Sequence, residues 1–339
     1  LARRGIRLRQ FGQEISERIT GKKIHIMGIV PGGMAFPLTE DNRKALLNWI
    51  PEALETVQLG INLIKKFHEE NAEMVHSFAT TPTLYLGTVG PGGEHELYDG
   101  KLRYVNEEGV ILHDQLSPTE YLTYIAERSV NWSYLKYPYY KPLGFEKGIY
   151  RVGPLARLNV CSRMKTPLAQ EEFEQFRKLG DGKPVHGTFF YHYARLIEAL
   201  SDVEDAESIL NDPQVTSLHI QHHGRWNYEE GIGSSEAPRG TLFHHYRTDE
   251  TGKLLKVNLL IATGQNNPSM NRSLLEVARQ YVNGNNVQEG MLNRVESAIR
   301  CYDPCLSCST HALGQMPLVV EVRDAAGAVV KRLERGGYN

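Results

Sequence analysis

Between residues 39 and 75 the chain keeps an apolar seam in which Leu47, Ile50, Leu54, Val57, Ile61 and Ile64 follow one another at alternating steps of three and four. That spacing puts all six side chains on one side of an α-helix, a stripe that must be buried against other helices. A chain carrying it needs a helix-bundle core. Pro51 lies inside the seam. Its ring and missing N–H predict either a kink or a late helix start.

Residues 1–20 read as a second amphipathic helix, with Ile6, Phe11, Ile15 and Ile19 on one side and Arg or Glu between them. Pro31-Gly32-Gly33 then breaks the chain. Residues 80–115 are rich in Gly, Pro and Thr, with short β-like pieces near 102–105 and 109–112. Residues 118–128 and 169–178 read as short helices, and 187–210 as a longer one. Gly240–Arg247 and Lys253–Ala262 read as two strands of a hairpin closed by Thr248-Asp249-Glu250-Thr251-Gly252. A last helix pair covers 269–283 and 287–301, and strand-like runs Leu318–Val322 and Ala328–Val330 follow. The sum is a helix-rich α+β protein: a long helix-bundle core with small β-hairpins and sheets around it.

At 339 residues, 41% hydrophobic and 23% charged, the chain has ordinary globular composition and length for a sizeable core. A net charge of −2 argues against nucleic acid or an anionic membrane as partner. No run of about 18 apolar residues occurs, so no membrane-spanning helix is expected, and the first twenty residues lack a signal-type apolar region. Four cysteines, three of them clustered, point to metal binding in a reducing cytoplasm and away from a disulfide framework.

The cluster is Cys301-Tyr302-Asp303-Pro304-Cys305-Leu306-Ser307-Cys308-Ser309-Thr310-His311. Cys305, Cys308 and His311 stand three apart, so one turn can aim all three at a point, and thiolates with imidazole at that spacing suit a transition metal. Asp303-Pro304 predicts an abrupt change of chain direction before them. A structural Cys₃His zinc site with Cys301, Cys305, Cys308 and His311 is one reading, although such sites usually split their ligands between two knuckles. Cys301-x₃-Cys305-x₂-Cys308 also has the spacing of the [4Fe–4S] loop of radical-SAM enzymes. Only 31 residues follow Cys308, however, too few for the barrel that loop normally precedes.

Elsewhere the residues speak less clearly. His219, His222, His223, His244 and His245 lack a carboxylate at metal-ligand spacing and read as hydrogen-bonded histidines; His244 and His245 must face opposite sides of their strand. Cys161 reads as a small core residue. Pro91-Gly92-Gly93 and Gly231-Ile232-Gly233 read as loop glycines without a phosphate-binding motif. Arg239, in Glu236-Ala237-Pro238-Arg239-Gly240, is held in a turn that opens one hairpin strand, and the Ala262-Thr263-Gly264-Gln265-Asn266-Asn267 loop closes the other. Antiparallel pairing brings Arg239 and Thr263 to the same end of the hairpin.

Together these segments resemble the large, catalytic subunit of [NiFe]-hydrogenases, and most of all the cytoplasmic, bidirectional, NAD-reducing class. The resemblance runs over the whole chain. Its marks are Gly153-Pro154-Leu155-Ala156-Arg157, Glu236-Ala237-Pro238-Arg239-Gly240, Thr263-Gly264-Gln265-Asn266-Asn267 and, most specifically, Asp303-Pro304-Cys305-x₂-Cys308-x₂-His311-Ala312.

The resemblance implies reversible heterolytic oxidation of H2 at a Ni-Fe(CN)2(CO) centre with a nearby Mg2+. Cys305 would be a terminal thiolate on nickel and Cys308 would bridge nickel and iron. His311 would bind Mg2+ with a carbonyl from the Gln265–Asn267 loop, taken as that of Asn267. Arg239 would lie above the metals, held by Asp303, while Ala237, Pro238 and Thr263 surround the diatomic ligands. It also implies partners: a small subunit with an iron–sulfur cluster, and diaphorase subunits binding NAD and flavin, since no dinucleotide fingerprint occurs in this chain. A maturation endopeptidase and nickel-insertion chaperones complete the set. The family draws two further thiolates from an N-terminal Cys-x₂-Cys and a magnesium ligand from an N-terminal Glu, none of which occurs here. Residues 1–311 are therefore expected to be a catalytic domain lacking its N-terminal part. Residues 312–339 are expected to be a precursor extension removed at His311–Ala312. The alternative left open is a non-catalytic relative that holds structural zinc with Cys305, Cys308 and His311.

Overall fold

The computed structural model describes residues 1–224, 229–282, 288–305 and 318–335. Its helices are α1 (Ala2–Thr20), α2 (Glu40–Leu47), α3 (Ile50–Glu70), α4 (Ala72–Ser77), α5 (Tyr121–Tyr124), α6 (Gly144–Lys147), α7 (Pro154–Val160), α8 (Pro167–Lys178), α9 (Tyr191–Asn211), α10 (Ala262–Tyr281) and α11 (Glu289–Cys301). Its strands are β1 (Ile29–Val30), β2 (Gly33–Met34), β3 (Leu84–Val89), β4 (Lys101–Val105), β5 (Ile111–Leu116), β6 (Ile125–Val130), β7 (Ser133–Tyr140), β8 (Tyr150–Arg151), β9 (Glu230–Ala237), β10 (Gly240–Thr248), β11 (Leu254–Leu260), β12 (Leu318–Arg323) and β13 (Val329–Arg335). No described helix is long and apolar enough to cross a membrane.

Most of the seam forms the bundle core from α3, with Leu54 and Ile64 partly buried, but Leu47 falls in the separate helix α2, so residues 39–75 are not the one long helix that the spacing suggests. Ile50, Ala53, Val57 and Ile61 of α3 are buried, and α3 packs on α9, which in turn packs on α8. Of the two outcomes for Pro51 the late start is realised. α2 ends at Leu47, and α3 begins at Ile50 with the proline in its first turn, where a missing N–H breaks no helical bond. α1 lies on α3 through Phe11, with Leu8, Ile15 and Ile19 partly buried beside it. Ile6, expected on that face, instead points to solvent.

The β structure is richer than the sequence suggested. β3 is buried along its whole length. Tyr85 and Val89 face the helical core, while Leu84 and Leu86 face a second, smaller cluster with Tyr104, Tyr150, Phe243 and Leu260. Alternation along a strand produces that division. β3 pairs antiparallel with β4 and parallel with β8, giving a four-stranded sheet in the order β5-β4-β3-β8. Residues 118–128 are not one helix. Pro118–Glu120 forms a 3₁₀ turn leading into α5, and Ile125–Val130 is strand β6, paired with β7. Gly231-Ile232-Gly233 is likewise not a loop but part of β9, the third strand of the sheet β11-β10-β9. The two strand-like runs near the end pair as the β12-β13 hairpin, which turns at Asp324–Gly327.

The largest correction concerns residues 262–267. They form the start of α10, not a loop. Gly, Asn and the internal Pro268 are poor helix formers, but Ala262–Asn266 and Pro268–Met270 are buried, and that packing overrides propensity.

Because Ile61 is 2% exposed and Ile6 is 68% exposed, the two should respond differently to truncation. Ile61→Ala should cost about 2–5 kcal/mol and Ile6→Ala less than about 0.5 kcal/mol in urea unfolding. Equal losses would contradict this burial of the α3 seam.

Candidate metal centre

The site is built outward from a buried arginine. Gly153 takes a left-handed φ of 94°, and a Cβ there would meet the Arg239 carbonyl oxygen at 2.8 Å. Pro154 then opens α7, whose residues are all buried. Arg157 directs its guanidinium between two carboxylates. Nε and Nη2 donate to Glu198 Oε1 and Oε2 at 2.6 and 2.7 Å, and Nη1 donates to Glu236 Oε2 at 2.8 Å. The same group donates to the carbonyls of Ala237 at 2.9 Å and Pro238 at 3.3 Å. Glu236 Oε1 accepts from the Thr88 N–H at 3.0 Å and from Thr241 Oγ1 at 2.6 Å. His95 Nε2 lies 3.1 Å from Glu198 Oε1. Burial alone would raise the Glu198 carboxyl, but the Arg157 charge and the hydrogen bonds from Arg157 and His95 draw it down to about 2.

These bonds fix the turn between β9 and β10, where Ala237 pairs with Gly240 and Arg239 protrudes between them. Gly240 has φ 132°, and a Cβ there would strike Val152 at 2.4 Å, so only glycine lets the turn close on this segment. Asn266, in the first turns of α10, bridges the same parts. Its Oδ1 accepts from the Val152 N–H at 2.9 Å, and its Nδ2 donates to the carbonyls of Val152 at 3.3 Å and Arg239 at 3.5 Å.

The cysteine segment meets this turn from the other side. α11 is followed directly by Tyr302, whose hydroxyl lies 3.0 Å from Ser269 Oγ and 2.8 Å from Ser273 Oγ of α10. Asp303 adopts φ 50°, a left-handed conformation that Asp tolerates better than most residues, and the chain turns there as the Asp-Pro pair predicted. Arg239 Nε donates to the Asp303 carbonyl at 2.5 Å and lies 3.4 Å from Asp303 Oδ2. The Cys305 N–H donates to Thr263 Oγ1 at 3.1 Å. Arg239, Asp303, Thr263 and Cys305 are thus brought together, with Ala237 and Pro238 in the same turn. Asn267 follows Asn266 in α10 and is half-buried. Cys308 and His311 lie outside the described residues. Among the described residues no three His, Cys, Asp or Glu side chains gather as a metal-holding group.

Cys301 does not belong to the site. It is fully buried in the helical core, burial pushes its thiol up to about 12, and its carbonyl accepts from Arg195 Nη2 at 3.0 Å. That removes one ligand from the Cys₃His zinc reading. Cys161 is the core residue it was read as, its thiol likewise raised by burial to about 12. His245 is hydrogen-bonded as expected, 2.9 Å from Tyr121 Oη and 2.8 Å from Glu230 Oε1, while His244 turns to the opposite face beside Tyr246. Sequence reasoning quoted Asn266 within a motif without seeing its bridging role, and missed Glu198 and Arg151 altogether. The last is a fully buried guanidinium that donates to Ser269 Oγ at 2.8 Å, the His186 carbonyl at 2.7 Å and the Thr81 carbonyl at 3.0 Å.

Two outcomes follow from these environments. Iodoacetamide should leave Cys161 and Cys301 unlabelled in the native protein and label both in urea, read by peptide mass spectrometry; native labelling of Cys301 would return it to the candidate ligands. Glu198 is held below the usual value of 4.5, so its contribution is complete above that pH and disappears as pH falls towards about 2. The stability gap between wild type and Glu198→Gln should therefore narrow over that window, and a pH-independent gap would contradict the pairing.

Residues 95–311 match the nickel-dependent hydrogenase family. The chain is 41% identical over 345 aligned residues to the NAD-reducing hydrogenase HoxS subunit beta of Cupriavidus necator, covering 99% of this chain and 70% of that relative. It is 39% identical to one chain of the F420-non-reducing hydrogenase vhc of Methanococcus voltae, covering 95% and 68%. Among solved structures it superposes on an NAD+-reducing [NiFe]-hydrogenase in the H2-reduced state with a TM-score of 0.88 and 38% identity, over 91% of this chain and 68% of that one. A [NiFeSe]-hydrogenase of Dm. baculatum, 19% identical with a TM-score of 0.69, shares the fold. These relatives set aside the zinc-binding alternative: the chain belongs to the nickel-dependent hydrogenase family, as a large-subunit chain acting on H2.

Proposed function

We propose that this chain carries out the H2 chemistry of a reversible hydrogenase whose electrons pass through partner subunits to NAD+. The observation that carries this reading is the convergence of Arg239, Asp303, Thr263 and Cys305 on one turn. The donor set fits a nickel–iron centre at the edge that is described. Cys305, which would supply a soft thiolate, is tied through its N–H to the Thr263 hydroxyl, and the Arg239 guanidinium is held by Asp303 two residues before it, a set that suits a thiolate-bound metal with anionic ligands. When bound, the centre supplies the Lewis acidity and redox capacity that heterolytic cleavage of H2 demands.

The chain's own groups do the rest. Cys305 would hold the metal, with Cys308 as second thiolate, and its Sγ would take up the proton released from H2. The Arg239 guanidinium, oriented by Asp303, would polarise the approaching H2. Thr263 Oγ1 accepts from the Cys305 N–H, leaving its own O–H free to donate to a cyanide; Ala237 and Pro238 wall the same pocket. His311 and Asn267 would hold Mg2+ through nitrogen and oxygen.

The NAD-reducing relative supports an assembly in which a small subunit holds an iron–sulfur cluster and diaphorase subunits bind flavin and NAD. The same reading includes nickel-insertion chaperones, an endopeptidase that cuts at His311–Ala312 to remove residues 312–339, and a cytoplasmic location.

In the assembled enzyme, Arg239→Lys should lower H2-driven dye reduction about 10²–10³-fold while nickel content and the cyanide and carbonyl infrared bands persist. Cys305→Ser should abolish nickel binding. Wild-type turnover in Arg239→Lys removes this residue from the chemistry, and wild-type protein holding zinc without those bands defeats the whole reading.

A further inference from the structure

Arg157 spends every one of its five N–H groups. Three go to carboxylate oxygens of Glu198 and Glu236, and two go to the carbonyls of Ala237 and Pro238, the residues directly before Arg239. A simple buried ion pair would need only the two-pronged contact with Glu198. The carbonyl bonds do something else: they orient the peptide planes that lead into Arg239. No cis peptide occurs among the described residues, so holding the Pro238 carbonyl towards α7 turns the Arg239 N–H to the opposite side. The turn is anchored at its other end as well, because Glu236 is tied to the Thr88 N–H and to Thr241 Oγ1, and Asn266 reaches the Arg239 carbonyl.

We infer that Arg157 is a positioning residue for the H2 chemistry: through the Ala237 and Pro238 carbonyls it sets where Arg239 stands over the metal pocket, without touching that pocket itself. This rests on the hydrogenase reading above. Lysine is no substitute. Its ammonium keeps the charge between Glu198 and Glu236, but its three donors cannot serve five acceptors in a planar fork. The turn would then relax while the buried charge balance survived.

The test compares Arg157→Lys with Ile61→Ala, a core truncation in α3 that destabilises without touching the turn. Both are assembled with their partner subunits and followed by thermal unfolding, by the infrared bands of the iron-bound diatomic ligands, and by H2 oxidation kinetics. Arg157→Lys should shift the cyanide bands by several wavenumbers and lower kcat roughly tenfold to a hundredfold with KM for H2 little changed, the scale expected of a misplaced catalytic group. Ile61→Ala should lose comparable stability with bands and kcat unmoved. Unshifted bands and wild-type kcat in folded Arg157→Lys overturn the inference. If Arg157→Lys does not assemble, Arg157→Gln, whose amide can still donate to a carbonyl, is measured in the same way. Failure of both to fold while Ile61→Ala folds makes Arg157 purely structural and also overturns it. Wild-type enzyme without diatomic-ligand bands, by contrast, would sink the hydrogenase reading itself.

Discussion

One guanidinium and two carboxylates share a dry junction between α7, α9 and β9. Removing such charges from water costs several kcal/mol per ion, so the cluster persists only because nearly every lone pair and proton in it has a partner. Glu198 is met by Arg157 and His95, and Glu236 by Arg157, Thr88 and Thr241. The net stabilisation of such a cluster is small compared with its specificity. Any shift of β9 along β10 would strand a charge, which ties the register of that sheet to the helix bundle.

A second buried guanidinium follows a different rule. Among the bonds described, Arg151 faces oxygens of Thr81, His186, Thr188 and Ser269, with the Tyr302 ring 5.7 Å away. Its charge is spread over dipoles, whereas Arg157 meets full charges. The two arginines bracket Val152 and Gly153, the short segment on which Asn266 and the Arg239 turn close. Rigid polar frames of this kind hold a loop residue such as Arg239 in place although its own side chain is 38% exposed.

The α3 seam was legible because its period matches a helix and nothing competes with it. β3 was not, because Leu84-Tyr85-Leu86 is apolar on both faces and Gly87 has no side chain to mark one. β9 escaped for a different reason. Gly231, Gly233, Ser234 and Ser235 favour no strand by themselves, and pairing with β10 imposes one. At the site, Arg239, Thr263, Asp303 and Cys305 could be named from the order of their motifs. Glu198 could not, since a single acid within a helix attracts no notice. Its only signal is phase: it lies on the same face as the buried Ala194, Ile197 and Ser201.

The pocket is assembled from parts that begin at Val152 and end at Cys305, with contributions from Glu236–Gly240 and Thr263–Asn266 between them. None of these segments is a neighbour of another along the chain. A polypeptide that had formed only its helix bundle would present cysteines without the shell that shapes them. On the hydrogenase reading, metal held there would therefore report on the closure of these distant segments, and its binding would stabilise the long-range contacts between them.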